Sequence, residues 1–471
     1  MCSSDLGAPT AANAYNGAAI VNNSYSLAAS TTASIDTFGT TFGVVIDPAQ
    51  TFTLGNNSVL NVNNGSNGSF GNGFFGSAAP TTIGTGVILA TGNTASAAAG
   101  TLNLIGAITQ SGTSLVTGVG ASTGLIKTGA GMLILGGNNT ATFTGNLYVQ
   151  GGTVFLNSPN ALPSGSTGTV IANNPGGVSI TGTTALGSAV ITAASAVTGL
   201  QQGMLVTGTG IPSGSYVVSV DSTTQFTISQ AATAAGTGVA LVNTTSGMLD
   251  LNGQTAVAGN VTINGFNNQV IAGQNTSALW NSRATAASLS GALTVASNAS
   301  VGGHGDLTLG VINSASGISL AKEGGNTLYL GTDNTTTLLG QIVVNNGILK
   351  LGNAGALGAT GQGTVMGTTA SLGSVTTTSG GTQITVSSTT GFQPGQLITL
   401  MNSTTSRVAP GTIIISVDSA TQLTLSQGAL AADTGATLTG VSTGIIDVNG
   451  ISTARSEEHT SELQSRQYLV C

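Results

Sequence analysis

Charge is what this chain has least of: seven Lys and Arg, fourteen Asp and Glu and two His in 471 residues. Basic residues so sparse, and scattered singly, form no stripe for a phosphate backbone or an anionic membrane surface. Cysteine is confined to Cys2 and Cys471, so the body of the chain holds no disulfide framework and no thiol site. No uninterrupted apolar run approaches the roughly 20 residues of a membrane-spanning helix. Helical patterning is missing too, because no long window repeats apolar residues at i, i+3, i+4 and i+7. With 4% aromatic residues, the chain resembles neither an average soluble domain nor a charged disordered one.

What is present is glycine, 72 residues of it, with 40% hydrophobic residues and a positive mean hydropathy. Short Val/Ile/Leu runs alternate with Gly, Asn, Thr and Ser, as strands alternate with turns. Residues 124–170 recur without a gap at 319–365, 195 positions later, with eighteen identities that include Leu125/Leu320, Lys127/Lys322, Leu133/Leu328 and Leu156/Leu351. A long repeat in a chain this poor in charge points to stacked β-structure. Met132–Leu135, Leu147–Val149 and Thr153–Leu156 read as three strands of one coil of about 22 residues, with inward residues stacked at about 4.8 Å. The fold class expected is all-β, a right-handed parallel β-helix with small inserted β modules. Lys127 and Lys322 read as lysines snorkelling from the rim of a coil, in preference to ligand contacts.

A second block recurs at an offset of 197: GSYVVSVDSTTQFTISQ at 214–230 and GTIIISVDSATQLTLSQ at 411–427. DLNG at 250–253 answers DVNG at 447–450 by the same shift. The stretches at about 187–243 and 375–440 read as inserted modules of strand, turn, strand, Val-Asp-Ser turn, strand. Asp221 and Asp418 are expected to cap those turns, and Asp250 and Asp447 to precede Asn-Gly turns.

The two ends differ from everything between them. Arg455 to Ser465 back-translate as read-through of a common sequencing-library adapter, and MCSSDL at 1–6 as its reverse strand. Residues 1–6 and 455–471 are therefore set aside from fold reasoning, and with them Glu457, Glu458 and His459, the only dense acid/base cluster. The remainder divides into an N-terminal solenoid segment, 7–120, and two repeat units, 121–315 and 316–454.

KTGAGMLILGGNNTATFTGNLYVQGGTVFLN at 127–157 resembles the autotransporter-associated β-strand repeat. GGHGDLTLGVINSASGISLAKEG at 302–324 is similar to the segment that precedes that repeat. The second copy keeps Lys322, Gly324, Leu328, Leu330, Asn334 and Thr335 but loses the Gly-x-Gly spacing. The resemblance implies a β-helical passenger exported by a Gram-negative bacterium, displayed at or released from its surface. It also implies a C-terminal β-barrel in the parent protein, the one link to a membrane.

Chemistry is otherwise thin. GGHGD at 302–306 lacks one residue of a calcium nonapeptide, and His304 reads as an exposed turn residue. Gly208, Gly210 and Gly214 miss the dinucleotide spacing. Trp280 and Arg283 could stack on a sugar from a loop. The function expected is a structural or adhesive segment contacting glycan, host or sibling-cell surfaces, with no catalytic residues, cofactor, metal, nucleic acid or obligate oligomer. The rival is a β-helical polysaccharide-active lyase or hydrolase, which needs carboxylates converging on one face; a third reading is a phage-type or secreted β-solenoid.

Overall fold

A computed structural model describes residues 19–451, apart from 22–23, 37–43, 47–48, 55–56, 64–73, 78–80, 84–86, 92–100, 105–106, 111–123, 165–167, 268–269, 272–273, 276, 362 and 368. The adapter-like segments, Glu457, Glu458, His459 and both cysteines lie outside the described residues. Every regular element among the described residues is a β-strand, and the long parallel sheets are consistent with a β-solenoid. The chain forms two compact units, one running to Asp250 with Val257–Asn260, the other comprising Leu251–Ala256 and the residues from Val261 onward.

In the first unit the chain visits three columns in turn, and each strand pairs in parallel with its counterpart one round later. One column stacks Val44–Ile46, Phe74–Ser77, Thr101–Leu104, Met132–Leu135 and Gly151–Leu156. A second stacks Tyr25–Leu27, Phe52–Leu54, Thr81–Ile83 and Ile108–Gln110. The third stacks Thr32–Asp36, Val59–Asn63, Ile88–Thr91, Leu125–Thr128 and Leu147–Val149. The strand period of two sends alternate residues inward, so Leu102, Leu133 and Val154 fall in register and are all fully buried. Each such side chain contributes about 1.5–3 kcal/mol on burial.

The three-strand coil expected from sequence is corrected here. Met132–Leu135 and Gly151–Leu156 belong to successive rounds of one column, because Met132 pairs with Thr153 and Leu135 with Leu156. The round that opens the repeat instead runs from Leu125–Thr128 through Met132–Leu135 to an irregular corner held by Asn139, which stands where the earlier rounds place a strand of the second column. That fully buried asparagine accepts the Ile108 N–H at 2.8 Å and donates to the Ala161 carbonyl at 2.6 Å. Its side chain thus supplies the ladder bonds that a third strand would otherwise make.

The second unit repeats the plan. Leu307, Leu328, Leu349 and Ile446 stack in one column through Leu307–Leu309, Thr327–Leu330, Ile348–Leu351 and Ile445–Asp447. A second column stacks Leu279–Asn281, Ala299–Gly303, Ser319–Glu323, Gln341–Val344 and Thr364–Met366. Asn334 takes the corner role of Asn139, accepting from Ile312 N–H at 2.9 Å and donating to Ala356 at 3.2 Å. The Asn-Gly expectation holds in both repeats. Asn252 and Gly253 have φ of 51° and 71°, and Asn449 and Gly450 have 49° and 71°. Gln254 N–H closes onto Leu251 O at 2.9 Å, and Ile451 N–H onto Val448 O at 2.8 Å. Two successive positive φ values define the type I′ turn that Asn-Gly favours.

Each unit also carries an antiparallel insert closed as a ring of six strands, with Thr405–Ser406 as a seventh strand in the second, where the sequence reading counted three. In the first, Thr169–Thr184 pairs with Val190–Ala193, which pairs with Gln225–Ile228, which pairs with Val217–Ser222. A bridge from Tyr216 to Leu205 leads to Leu205–Gly208, then to Gly236–Asp250, which pairs back with Thr169–Thr184. The second insert closes the same ring through Ala370–Thr377, Gln383–Thr385, Gln422–Leu425, Ile414–Ser419, Leu397–Asn402 and Asp433–Val441. Closure pairs each of the six ring strands on both sides, which protects their edges. Ile191, Val206, Val217, Phe226 and Leu241 fill the first small barrel, and Ile384, Ile398, Ile414, Leu423 and Leu438 fill the second.

Candidate functional site

The lysines that sequence placed at the rim are inside. Lys127 and Lys322 are both fully buried, which overturns the snorkelling expectation. Both lie on strands whose inward positions alternate, so the side chain enters the interior and its ammonium must find acceptors there. Lys127 Nζ donates to the carbonyls of Thr128, Gly129 and Gly151 at 2.9, 3.0 and 2.8 Å. Lys322 Nζ donates to the carbonyls of Glu323, Gly324 and Asn346 at 2.7, 2.8 and 3.1 Å, and to Asn326 Oδ1 at 2.9 Å. Bends turn these carbonyls inward, and one ammonium collects what no strand can pair. Burial pulls the Lys127 ammonium down to about 7. Burial also lowers Lys322, to about 8, while Glu323 and Asp306 pull it back up. The lysine and the glycines of the repeat therefore form one device: Gly152 and Gly347 pass over these ammonium groups at φ of 68° and 71°.

The small barrels stand on matching places in their own units. In the first, Tyr216 is buried against Val59, Ile88, Ala90 and Ile126, and its hydroxyl donates to Asn61 Oδ1 at 3.0 Å. Thr128 Oγ1 donates to Gly203 O at 2.6 Å, and Gln150 Nε2 to Gln201 Oε1 at 3.2 Å. In the second, Ile413 takes the place of Tyr216 and packs on Ala321, Val343 and Phe266. Asn345 Nδ2 donates to Pro394 O at 3.3 Å. Tyr216→Ala is expected to destabilise the first barrel's attachment by about 3 kcal/mol, the range for truncating a buried aromatic. Tyr216→Phe removes one hydrogen bond, about 1 kcal/mol. Limited proteolysis within 185–238 and denaturant unfolding of both variants measure the two losses.

The Val-Asp-Ser carboxylates do not cap turns, as expected, but clip hairpins. Asp221 accepts from Ser219 Oγ at 2.6 Å and from Thr227 Oγ1 at 2.7 Å, joining neighbouring strands. Asp418 does the same with Ser416 and Thr424, at 2.5 and 2.6 Å. The turn cap falls to the following serines, whose Oγ atoms accept from Thr224 N–H and Thr421 N–H, each at 3.2 Å. Asp447 accepts from Asn449 N–H at 2.9 Å and faces Lys350 at 3.6 Å, while Asp250 is buried. Asp306 is exposed and accepts the Thr327 N–H at 2.8 Å. Among the described residues no three His, Cys, Asp or Glu side chains come together to hold a metal.

Trp280 does not lie on a loop. It sits in the strand Leu279–Asn281, 1% exposed, with its ring edge-on to His304 at 5.9 Å. Arg283 turns away to donate to Asn252 Oδ1 at 2.6 Å, so the sugar-stacking pair is dissolved. Since Trp280 is the only tryptophan, its emission is expected to be blue-shifted, shielded from acrylamide and unchanged by soluble oligosaccharides. His304 is exposed. Gly210 and Gly214 adopt φ of 76° and 77° in turns, while Gly208 ends the strand Leu205–Gly208; none of the three shapes a phosphate loop. A groove of about 320 Å³ on the first barrel is lined by Val197, Thr198, Leu200, Gln201 and Thr223 among others, with no charged side chain.

Sequence reasoning missed Glu323, whose carboxyl is held by two asparagine amides in the second unit. It accepts from Asn345 Nδ2 at 2.6 Å and Asn346 Nδ2 at 3.0 Å. Burial raises it to about 7 against the opposing pull of those amides and of Lys322. The only signal was the Thr128-to-Glu323 difference between otherwise aligned repeats. No family model, curated protein or solved structure matches the chain.

Proposed function

We propose that the chain is a right-handed parallel β-helical passenger segment of a bacterial autotransporter, displayed at or released from the surface of a Gram-negative cell. Its role is structural and adhesive. The stacked rounds make the stalk, and the inserted barrels make the contacts with glycan, host or sibling-cell surfaces. The observation that carries this reading is the fusion of two features in each unit: a repeat round built around a buried lysine, and a closed barrel seated on that round. Barrels firmly footed on the stacked rounds of their own units suit presentation of a binding surface. The acids, dispersed into hairpin clips and turns, fit scaffolding better than polysaccharide cleavage.

Expression of residues 7–454 between a secretion signal and an outer-membrane translocator barrel tests the proposal. The expected result is a protease-accessible passenger on intact cells that increases cell–cell or cell–glycan adherence, with adherence lost when 178–243 and 370–441 are deleted. Retention in the periplasm, or surface display with no change in adherence, sinks it.

A further inference from the structure

The two barrels rest on equivalent places with different chemistry, and one of the differences is a charge. In the first unit Thr128, a neutral hydroxyl, donates to Gly203 O. The corresponding position in the second unit is Glu323, beside the corresponding glycine, Gly395. A Cβ added to Gly395 would lie 2.8 Å from Glu323 Oε1 and 3.0 Å from Asn345 Nδ2. Asn345 Nδ2 bridges the carboxylate and Pro394 O, at 2.6 and 3.3 Å. Glu323 keeps part of its surface in solvent, yet its carboxyl is hemmed in by Asn345, Asn346 and the Pro394–Gly395 backbone. With the carboxyl ionised, a negative oxygen lies against the barrel backbone at Gly395, whose own N–H is already given to Ile414 O at 2.7 Å.

We propose that Glu323 makes the attachment of the second barrel sensitive to acidity, with protonation letting the carboxyl donate to the Pro394–Gly395 backbone as Thr128 donates to Gly203, while the first barrel's attachment is indifferent. Lys322 is the charged group nearest on its own strand, and Asp306 acts through that lysine. Asn345 and Asn346, following the neighbouring strand Gln341–Val344, contribute no titratable group. The barrel presents Pro394 and Gly395, neither of which titrates. Burial holds the folded-state value of Glu323 above its ordinary one, at about 7. Its contribution is therefore full below the ordinary carboxylate range and is lost as pH rises through about 7. Lys322, lowered to about 8, changes state on the alkaline side of that window.

Hydrogen-exchange mass spectrometry on the full chain tests this, with rates corrected for the intrinsic pH dependence of exchange. Between about pH 4.5 and pH 7.5, protection of 392–398 and 411–417 should fall by about tenfold, and that of 200–206 should stay constant. Glu323→Gln should abolish the pH dependence, and Glu323→Thr should give the second barrel the flat profile of the first. An unchanged fall in Glu323→Gln, or a parallel fall in the first barrel, would overturn the proposal. A Gln variant that fails to fold leaves Glu323→Thr to decide it, because threonine is already accommodated at the matching site.

Discussion

Lys127→Met is expected to destabilise the first unit by about 3 kcal/mol or more. Methionine matches the length of the stem but leaves three carbonyl oxygens without a donor, each costing about 1–3 kcal/mol in a dry interior. Lys322→Met should act likewise in the second unit, with Asn326 Oδ1 also stranded. Denaturant unfolding, followed separately in the two units by hydrogen exchange, measures both losses. The pH dependence separates this from a simple packing defect. Burial favours the uncharged amine in the folded state, so the unfolded chain binds more protons above about pH 7. Stability of the parent chain should therefore rise between about pH 7 and pH 9, and the double variant Lys127→Met, Lys322→Met should lose that rise. A K127M variant as stable as the parent would show that water, not lysine, satisfies the corner.

The second large effect belongs to glycine at the same corner. A Cβ on Gly152 would lie 2.3 Å from Gly131 O, 2.4 Å from Gly129 O and 2.7 Å from Lys127 Nζ, at φ of +68°. Gly347 is matched, at 2.4 Å from both Asn326 O and Gly324 O. Left-handed backbone costs a residue with a side chain about 1–2 kcal/mol, and forced overlap in a packed site adds about 1–3. Gly152→Ala should thus cost about 3–5 kcal/mol, enough to unravel the rounds adjoining it. Gly187→Ala is the internal reference. Its φ is +78° but nothing lies within 4 Å of the added Cβ, so about 1 kcal/mol is expected. Thermal unfolding of the two variants side by side isolates the overlap, and equal losses would mean that φ alone governs both positions.

Local alternation and Asn-Gly chemistry made the strands and the type I′ turns legible, because both depend on near neighbours. The grouping of strands into rounds was not, since Leu133 and Val154 meet through a register that no adjacent residue encodes. Lys127 was misplaced for a related reason. A lysine on a polar-looking turn belongs in water until the turn is known to aim its carbonyls inward. The first insert is under-counted because TVIANNPGGVSITGTT, from 169 to 184, lies ahead of the stretch at about 187–243 and yet forms the longest strand of the first barrel. Its partner Gly236–Asp250 lies more than fifty residues on. Trp280 carries the same lesson in reverse: an aromatic beside polar residues reads as a surface platform until its strand is seen buried in the stack.

The ring of six strands bears on how such chains change over generations. Asn173 and Ser246 are direct partners where the first insert leaves and rejoins the stack, as Ala370 and Gly440 are near those points in the second. Because departure and return are neighbours, everything between them can lengthen, shorten or be exchanged without shifting any round above or below. The two copies already record one such change: their stacked rounds repeat at 195 residues and the segments beyond at 197, so the two-residue difference accumulated inside a closed barrel. Recombination at these paired positions is a route by which a stack of rounds could acquire new inserted barrels while inheriting its core unaltered.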